Sequence, residues 1–221
     1  MEHKRLTLFA GHYGSGKTNI AVNYALHLAK EGKKVCIADL DIVNPYFRTK
    51  DSAEVLEKAG VKLISPQFAN SNVDLPALPA ESYRLVQDRS TFGIMDIGGD
   101  DRGAYALGRF TPFILEENDY RMVFVANFCR PLTRTAEDAL EVMREIENAC
   151  KLKFTCIVNN TNLGSETTAK TVLGVMEEVN SLCSLSGLPL WMHAAERKVA
   201  EQLNVPALAM DLQEKYFDIP T

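Results

Sequence analysis

The chain has 221 residues, 46% apolar and 24% charged, the mixture of a globular protein long enough to bury a sizeable core. Its formal net charge of −5 excludes a broad basic surface for nucleic acid or anionic lipid. No apolar run reaches about 18 residues, so a transmembrane helix is not expected; five cysteines without close pairing or a secretory leader lead us to expect reduced thiols and a cytoplasmic location.

The first predicted strand is LTLFA (6–10), followed directly by GHYGSGKT (11–18). A helical pattern over 17–31 then sets Ile20, Ala21, Tyr24, Ala25 and Leu28 on one stripe and stops at Gly32. Further strands are predicted at KVCIAD (34–39), VKLIS (61–65), FGIMDI (92–97), RMVFVAN (121–127), FTCIVNN (154–160) and LPLWMH (188–193). Their apolar residues run almost unbroken, as in strands covered on both faces of a parallel sheet. Between 65 and 80, SPQFANSNVDLPALPA breaks the rhythm with three prolines and several turn formers, a loop long enough to suggest function. Later helical patterns cover 135–149, 165–182 and 195–204; in the first, Thr135 is placed to cap, Asp138 holds the third helical position, and Leu140, Met143 and Ile146 form the core stripe. The alternation predicts a doubly wound, mostly parallel α/β sheet between two helical layers, as one domain over 1–221.

The stretch 11–18 satisfies G-x-x-x-x-G-K-[ST] through Gly11, Gly16, Lys17 and Thr18, with His12, Tyr13, Gly14 and Ser15 inside it and Asn19 just beyond. Glycines let consecutive N–H groups converge on phosphate oxygens, and the following helix points its positive end at the same place. Lys17 is then expected to neutralise the β- and γ-phosphates and the Thr18 hydroxyl to hold Mg²⁺. The required strand precedes the motif and the required helix follows it, which makes a chance glycine-rich turn a poor alternative. Two further strand tips carry acids: Asp39 and Asp41 in IADLDIVNP, and Asp96 in FGIMDIGG. Asp96 suits a residue that reaches Mg²⁺ through its water shell, and Gly99 a backbone donor to the γ-phosphate. With Asp41 and Thr18 they outline a magnesium–nucleotide site.

These residues resemble the MinD/ParA-type branch of P-loop NTPases, which includes Mrp-type scaffolds. GHYGSGKT is similar to that branch's Gly-Lys-Gly-Gly-x-Gly-Lys-Thr cradle, IADLDIVNP to its Asp-x-Asp switch and FGIMDIGG to its Asp-x-x-Gly second switch, over roughly residues 5–160. The resemblance implies ATP and Mg²⁺ as ligands, Asp41 as the acid that orients the attacking water, and Asp96 with Gly99 as γ-phosphate sensors. It implies Asn159 as the residue that meets the adenine, with Asn160 a close competitor; VNNTN also reads simply as a turn.

Two departures stand out. The branch's early cradle lysine, which reaches a dimer partner's nucleotide, is His12 here, a shorter side chain that is mostly neutral at pH 7. Dimer catalysis is then either weakened or supplied with charge by Arg102, Arg109 or Arg130. The cysteine pairs of metal-cluster relatives are also missing: Cys36 and Cys156 read as core thiols, Cys129 alone is placed like a functional one, and His193 reads as a strand-end residue.

The leading expectation is an ATPase of low basal rate that works as a nucleotide-controlled switch or maturation factor for a client protein, with an ATP-dependent homodimer in view. Phe47 and Arg48 in NPYFRTKD (44–51) would move with the γ-phosphate as coupling residues, and loop 65–80 would be a partner surface. One alternative is a small-molecule kinase or ligase of the dethiobiotin-synthetase-like kind, using Arg102 and Arg109; another is a regulator that binds nucleotide without turnover. The absence of an Asn-Lys-x-Asp motif favours ATP over GTP. The terminal MDLQEKYFDIPT is short and acidic, unlike a membrane-binding helix, and nucleic acid is not an expected partner.

Overall fold

The computed structural model describes residues 3–40, 52–64, 80–99 and 101–212, with Ala80, Asp101 and Arg102 described by backbone alone. Asp41, the segment 44–51 with Phe47 and Arg48, and loop 65–79 lie outside these residues.

Eight parallel strands form one sheet in the order β3-β2-β4-β1-β5-β6-β7-β8. They are β1 (Leu6–Ala10), β2 (Val35–Leu40), β3 (Lys62–Ile64), β4 (Phe92–Ile97), β5 (Tyr120–Ala126), β6 (Cys156–Asn159), β7 (Leu190–Glu196) and β8 (Ala207–Met210). The helices are α1 (Lys17–Lys30), α2 (Ala53–Lys58), α3 (Arg84–Gln87), α4 (Asp101–Gly108), α5 (Thr111–Glu117), α6 (Ala136–Cys150), α7 (Ala169–Leu173), α8 (Met176–Ser186) and α9 (Arg197–Ala200). No described helix is long and apolar enough to cross a membrane.

Alternation along the strands divides the core in two. Phe9, Ile37, Ile94, Val123 and Val158 face α1 and α2, where they meet Ile20, Tyr24, Leu28 and Leu56. Leu8, Ala38, Met95, Phe124 and Ile157 face the opposite way, against Leu107, Phe110, Met143 and Leu182 of the α3–α6 and α8 layer. The α1 stripe read from the sequence is buried throughout, and the helix closes as expected: Gly32 takes φ 77° and donates to Ala29 O while Lys33 donates to Leu28 O. In α6, Met143 is buried with Ala136 and Ala139, whereas Leu140 and Ile146 pack only partly against them. Cys36 and Cys156 are core thiols, each pushed up to about 11 by burial.

Three predictions are corrected. The pattern 165–182 is two helices, because α7 ends at its C-cap Gly174 and the chain restarts as α8. In 195–204, strand β7 continues to Glu196 and only α9 is helical. The edge strand β8 and the helices α2 to α5 were not anticipated.

Candidate nucleotide-binding site

The loop between β1 and α1 curls back on itself. Ser15 N donates to His12 O at 3.1 Å, and Ile20 N opens the helix by donating to Gly16 O. Gly16 is the N-cap at φ 88°, a left-handed conformation that favours glycine. A Cβ there would also stand 2.3 Å from the Asn160 amide nitrogen. Among the described residues no side chain caps α1, and its first turn holds no acid. The positive dipole end of α1 is thus not met by a side-chain cap or by an acid of its own first turn. Lys17 is nearly buried there, its ammonium 3.1 Å from His12 O, and the half-buried Thr18 follows in the first turn.

The acidic strand tips lie alongside. Asp39 and Asp96 are register partners on β2 and β4, both buried and on the α1 face of the sheet. Gly99 comes next to the loop: a Cβ on it would be 2.7 Å from Tyr13 N and 2.9 Å from Lys17 Nζ. Only glycine permits that approach, so β4's exit and the loop form one surface.

The last residue of β6 and the one after it divide their work. Asn159 makes four hydrogen bonds inside the protein: its amide donates to Val172 O and to His193 Nδ1, and its carbonyl accepts from Thr161 N and Oγ1. Burial lowers the His193 pKa, which keeps the ring neutral and able to accept that bond. Asn160 faces the loop, donating to Ser15 O at 2.7 Å. Of the two asparagines, Asn160 is the one brought to the cradle. Among the described residues, Ser15 Oγ, Asn160 Oδ1 and Asn127 Nδ2 are buried without a hydrogen-bond partner. Such groups are uncommon in a closed core and cluster here at the exits of β1, β5 and β6. Asn127, at the end of β5, holds two loops together by accepting from Cys129 N and Asn162 N. It was missed in the sequence, where it is one more asparagine after a strand.

The candidate cations separate sharply. Arg130 donates from Nε to Gly14 O at 3.0 Å, so its guanidinium sits on the rim of the loop. Arg109 follows α4 at that helix's far end; the preceding Gly108 faces the carbonyls of Ala149 and Cys150, at the end of α6 remote from the cradle. Arg109 is therefore not a cradle residue, contrary to the expectation that grouped it with Arg130. His12 keeps local company, its Nδ1 2.9 Å from Tyr13 O. Cys129 is partly exposed and all five cysteines are free.

No protein-family model matches the sequence, and no curated protein matches it significantly. Solved structures resemble the fold. The cell division protein FtsY of Thermotoga maritima superposes with TM-score 0.58 at 18% identity, over 86% of this chain and 61% of that one. Chloroplast FtsY of Physcomitrella patens gives 0.58 at 16%, over 86% and 58%. The signal recognition particle 54 kDa protein of Aeropyrum pernix, in complex with GDP, gives 0.55 at 16%, over 86% and 41%. This chain thus spans less than two thirds of each. The fold is that of the α/β P-loop NTPases. At these identities the likeness carries the architecture and no more.

Proposed function

We propose that the protein is a Mg²⁺-dependent nucleotide switch that binds ATP, hydrolyses it slowly and passes its nucleotide state to a client protein. The observation that carries this is the uncapped start of α1, with Lys17 folded over the loop and Gly99 pressed against both. A triphosphate would supply an anion to this helix end, and its γ-phosphate would then bear on Gly99. Thr18 and Asp96 would hold the magnesium, and Asp41, outside the described residues, would orient the attacking water. The site binds and orients with these groups, and magnesium supplies charge neutralisation at the phosphates when bound.

Asn160 replaces Asn159 as the residue that ties loop to base, because its carbonyl oxygen is the one left without a partner. An acid three residues beyond Asn159 would give a guanine its paired acceptors; Asn162 stands there, with its side chain already engaged with Asn160 O and Gly164 N. That favours adenine, although one of the structural neighbours above holds GDP. Arg130 takes over the charge that His12 cannot supply, and it does so from the same chain.

Calorimetry with MgATP and MgGTP, followed by phosphate release from each, tests the reading. We expect ATP to bind more tightly, slow turnover, loss of both with EDTA, and normal ATP binding with at least tenfold slower hydrolysis (about 1.4 kcal/mol in the barrier) in Asp41→Asn. Tighter binding of GTP would overturn the choice of base; absence of binding by either would overturn the site. Consumption of a small metabolite would identify a transferase, and binding without any turnover a regulator.

A further inference from the structure

The end of α1 remote from the phosphate loop carries a second cluster of quite different chemistry. His27 and Glu31 are one turn apart on the same helix face, and the chain just before β1 brings His3 against them. His3 Nε2 lies 2.9 Å from Glu31 Oε2, and His27 Nε2 lies 3.2 Å from Glu31 Oε1. One ligand atom from each residue falls within 4.8 Å of the other two. We propose that His3, His27 and Glu31 form a zinc-binding site, with water completing the coordination.

Four features support an ion there rather than hydrogen bonds alone. Ligands about 2.1 Å from a tetrahedral ion stand about 3.4 Å apart; the two imidazoles meet different oxygens of the Glu31 carboxylate at 2.9 and 3.2 Å, so each spacing is near that value and a small turn brings all three groups onto one ion. The remaining adjustment falls on His27, whose side chain is 48% exposed and free to turn. Two imidazole nitrogens and one carboxylate oxygen suit zinc and its transition-metal neighbours and discriminate against Mg²⁺ and Ca²⁺. The outer shell is also present: His3 Nδ1 is 3.1 Å from the hydroxyl of buried Tyr24. A hydroxyl both donates and accepts, so when zinc takes the Nε2 lone pair the ring proton moves to Nδ1 and is received by Tyr24. Finally, the cluster sits at the C-terminal end of a 14-residue helix, where the dipole favours a cation.

An entry path exists, since His27 also lines a groove of about 340 Å³ beside β8. The opposing positive group is Arg121, which acts on Tyr24 and lies over the Trp191 ring at 4.1 Å. The ion would clamp the segment before β1 onto α1, about 21 Å along the helix from Lys17.

Full-length protein without a histidine tag, stripped with EDTA and dialysed, is titrated with ZnCl₂ by calorimetry, with MgCl₂ in parallel. The proposal expects one zinc per chain, no heat from magnesium at the same concentration and a rise in Tm. It expects a loss of zinc affinity of about tenfold or more in His27→Ala and in Glu31→Gln. Both positions are on the surface and away from the cradle, so nucleotide affinity should be unchanged and reports that each variant is folded. Cobalt in place of zinc should give visible d–d bands without a thiolate charge-transfer band. Absence of zinc binding at sub-millimolar concentration, undiminished binding in a His3→Ala/His27→Ala double variant, or a thiolate band pointing to Cys129 or Cys183 would each overturn the site and leave the cluster an ion pair.

Discussion

Helices α1 and α6 leave adjacent strands, β1 and β5, at the same edge of the sheet, yet their first turns are furnished in opposite ways. The start of α6 is closed by its own chain. Thr135 accepts from Asp138 N at 3.2 Å, Ala136 N donates to Glu178, and Glu137 and Asp138 put negative charge where the dipole wants it. The start of α1 has a glycine cap, no acid, and a lysine facing the positive end of the dipole. A cation there opposes the helix by roughly 0.3–1 kcal/mol. One helix start is arranged for stability; the other is left open at some cost to stability, and an anion corrects both faults at once.

Lys17→Ala should break this comparison most strongly. Removing the cation that faces the triphosphate should weaken MgATP binding by about 100-fold or more, roughly 3 kcal/mol. The same change should move the Tm of the nucleotide-free protein little, because the helix loses an unfavourable charge together with the bond from Lys17 to His12 O. Calorimetry and a melting curve on one preparation check both. A large fall in apo stability would mean that Lys17 is a structural residue, and the contrast with α6 would disappear.

Arg130→Ala should come next. Among the described residues its guanidinium donates to Gly14 O, a single contact with the loop that the fold should be able to lose. If Arg130 supplies the charge on the transferring phosphate, kcat should fall by about 10–100-fold with a much smaller change in KM. His12→Lys would then restore part of the rate or promote ATP-dependent dimerisation, read by light scattering with and without MgATP. Equal losses in kcat/KM and nucleotide affinity would instead make Arg130 a ground-state binding residue.

Gly16→Ala should have an intermediate effect. The new methyl meets the Asn160 amide and the backbone is at φ 88°, so a cost of about 1–3 kcal/mol is expected, divided between stability and nucleotide affinity. Preserved ATP-over-GTP preference in a folded Gly16→Ala protein would separate loop geometry from base recognition by Asn160.

What could be read from the sequence follows the same division. The cradle was legible because its parts are contiguous and the strand and helix that it needs flank it. The inner strands were legible because burial on both faces leaves long apolar runs. β8 was not, since ALAM after Pro206 is an apolar run of only four residues, as compatible with a buried helical turn as with a strand. α4 was hidden by its glycines; Gly103 is required where the helix backbone crosses Gly98, with a Cβ there only 2.6 Å from it. Asn160 and Arg130 were named only among alternatives, because they reach the loop through the β1-β5-β6 strand order, which no local pattern announces, and Asn127, which joins the turns after β5 and β6, was missed for the same reason. The His3–His27–Glu31 cluster is the same case: 24 positions separate its two histidines, and only the return of α1 over β1 joins them.

The smallest expected effect tests the other half of the comparison. Thr135→Ala removes the side-chain oxygen that serves Asp138 N, and an N-cap of this kind contributes about 1 kcal/mol. For a protein of this size that is a fall in Tm of about 2–4 °C. Thr135→Asp should recover it, because a carboxylate caps as well and suits the dipole better. Nucleotide affinity should be the same in both variants, since α6 is already closed and offers nothing to a phosphate. A Thr135→Ala protein that binds ATP more weakly would show that the start of α6 belongs to the nucleotide site after all, and that the two helix ends differ in degree rather than in purpose.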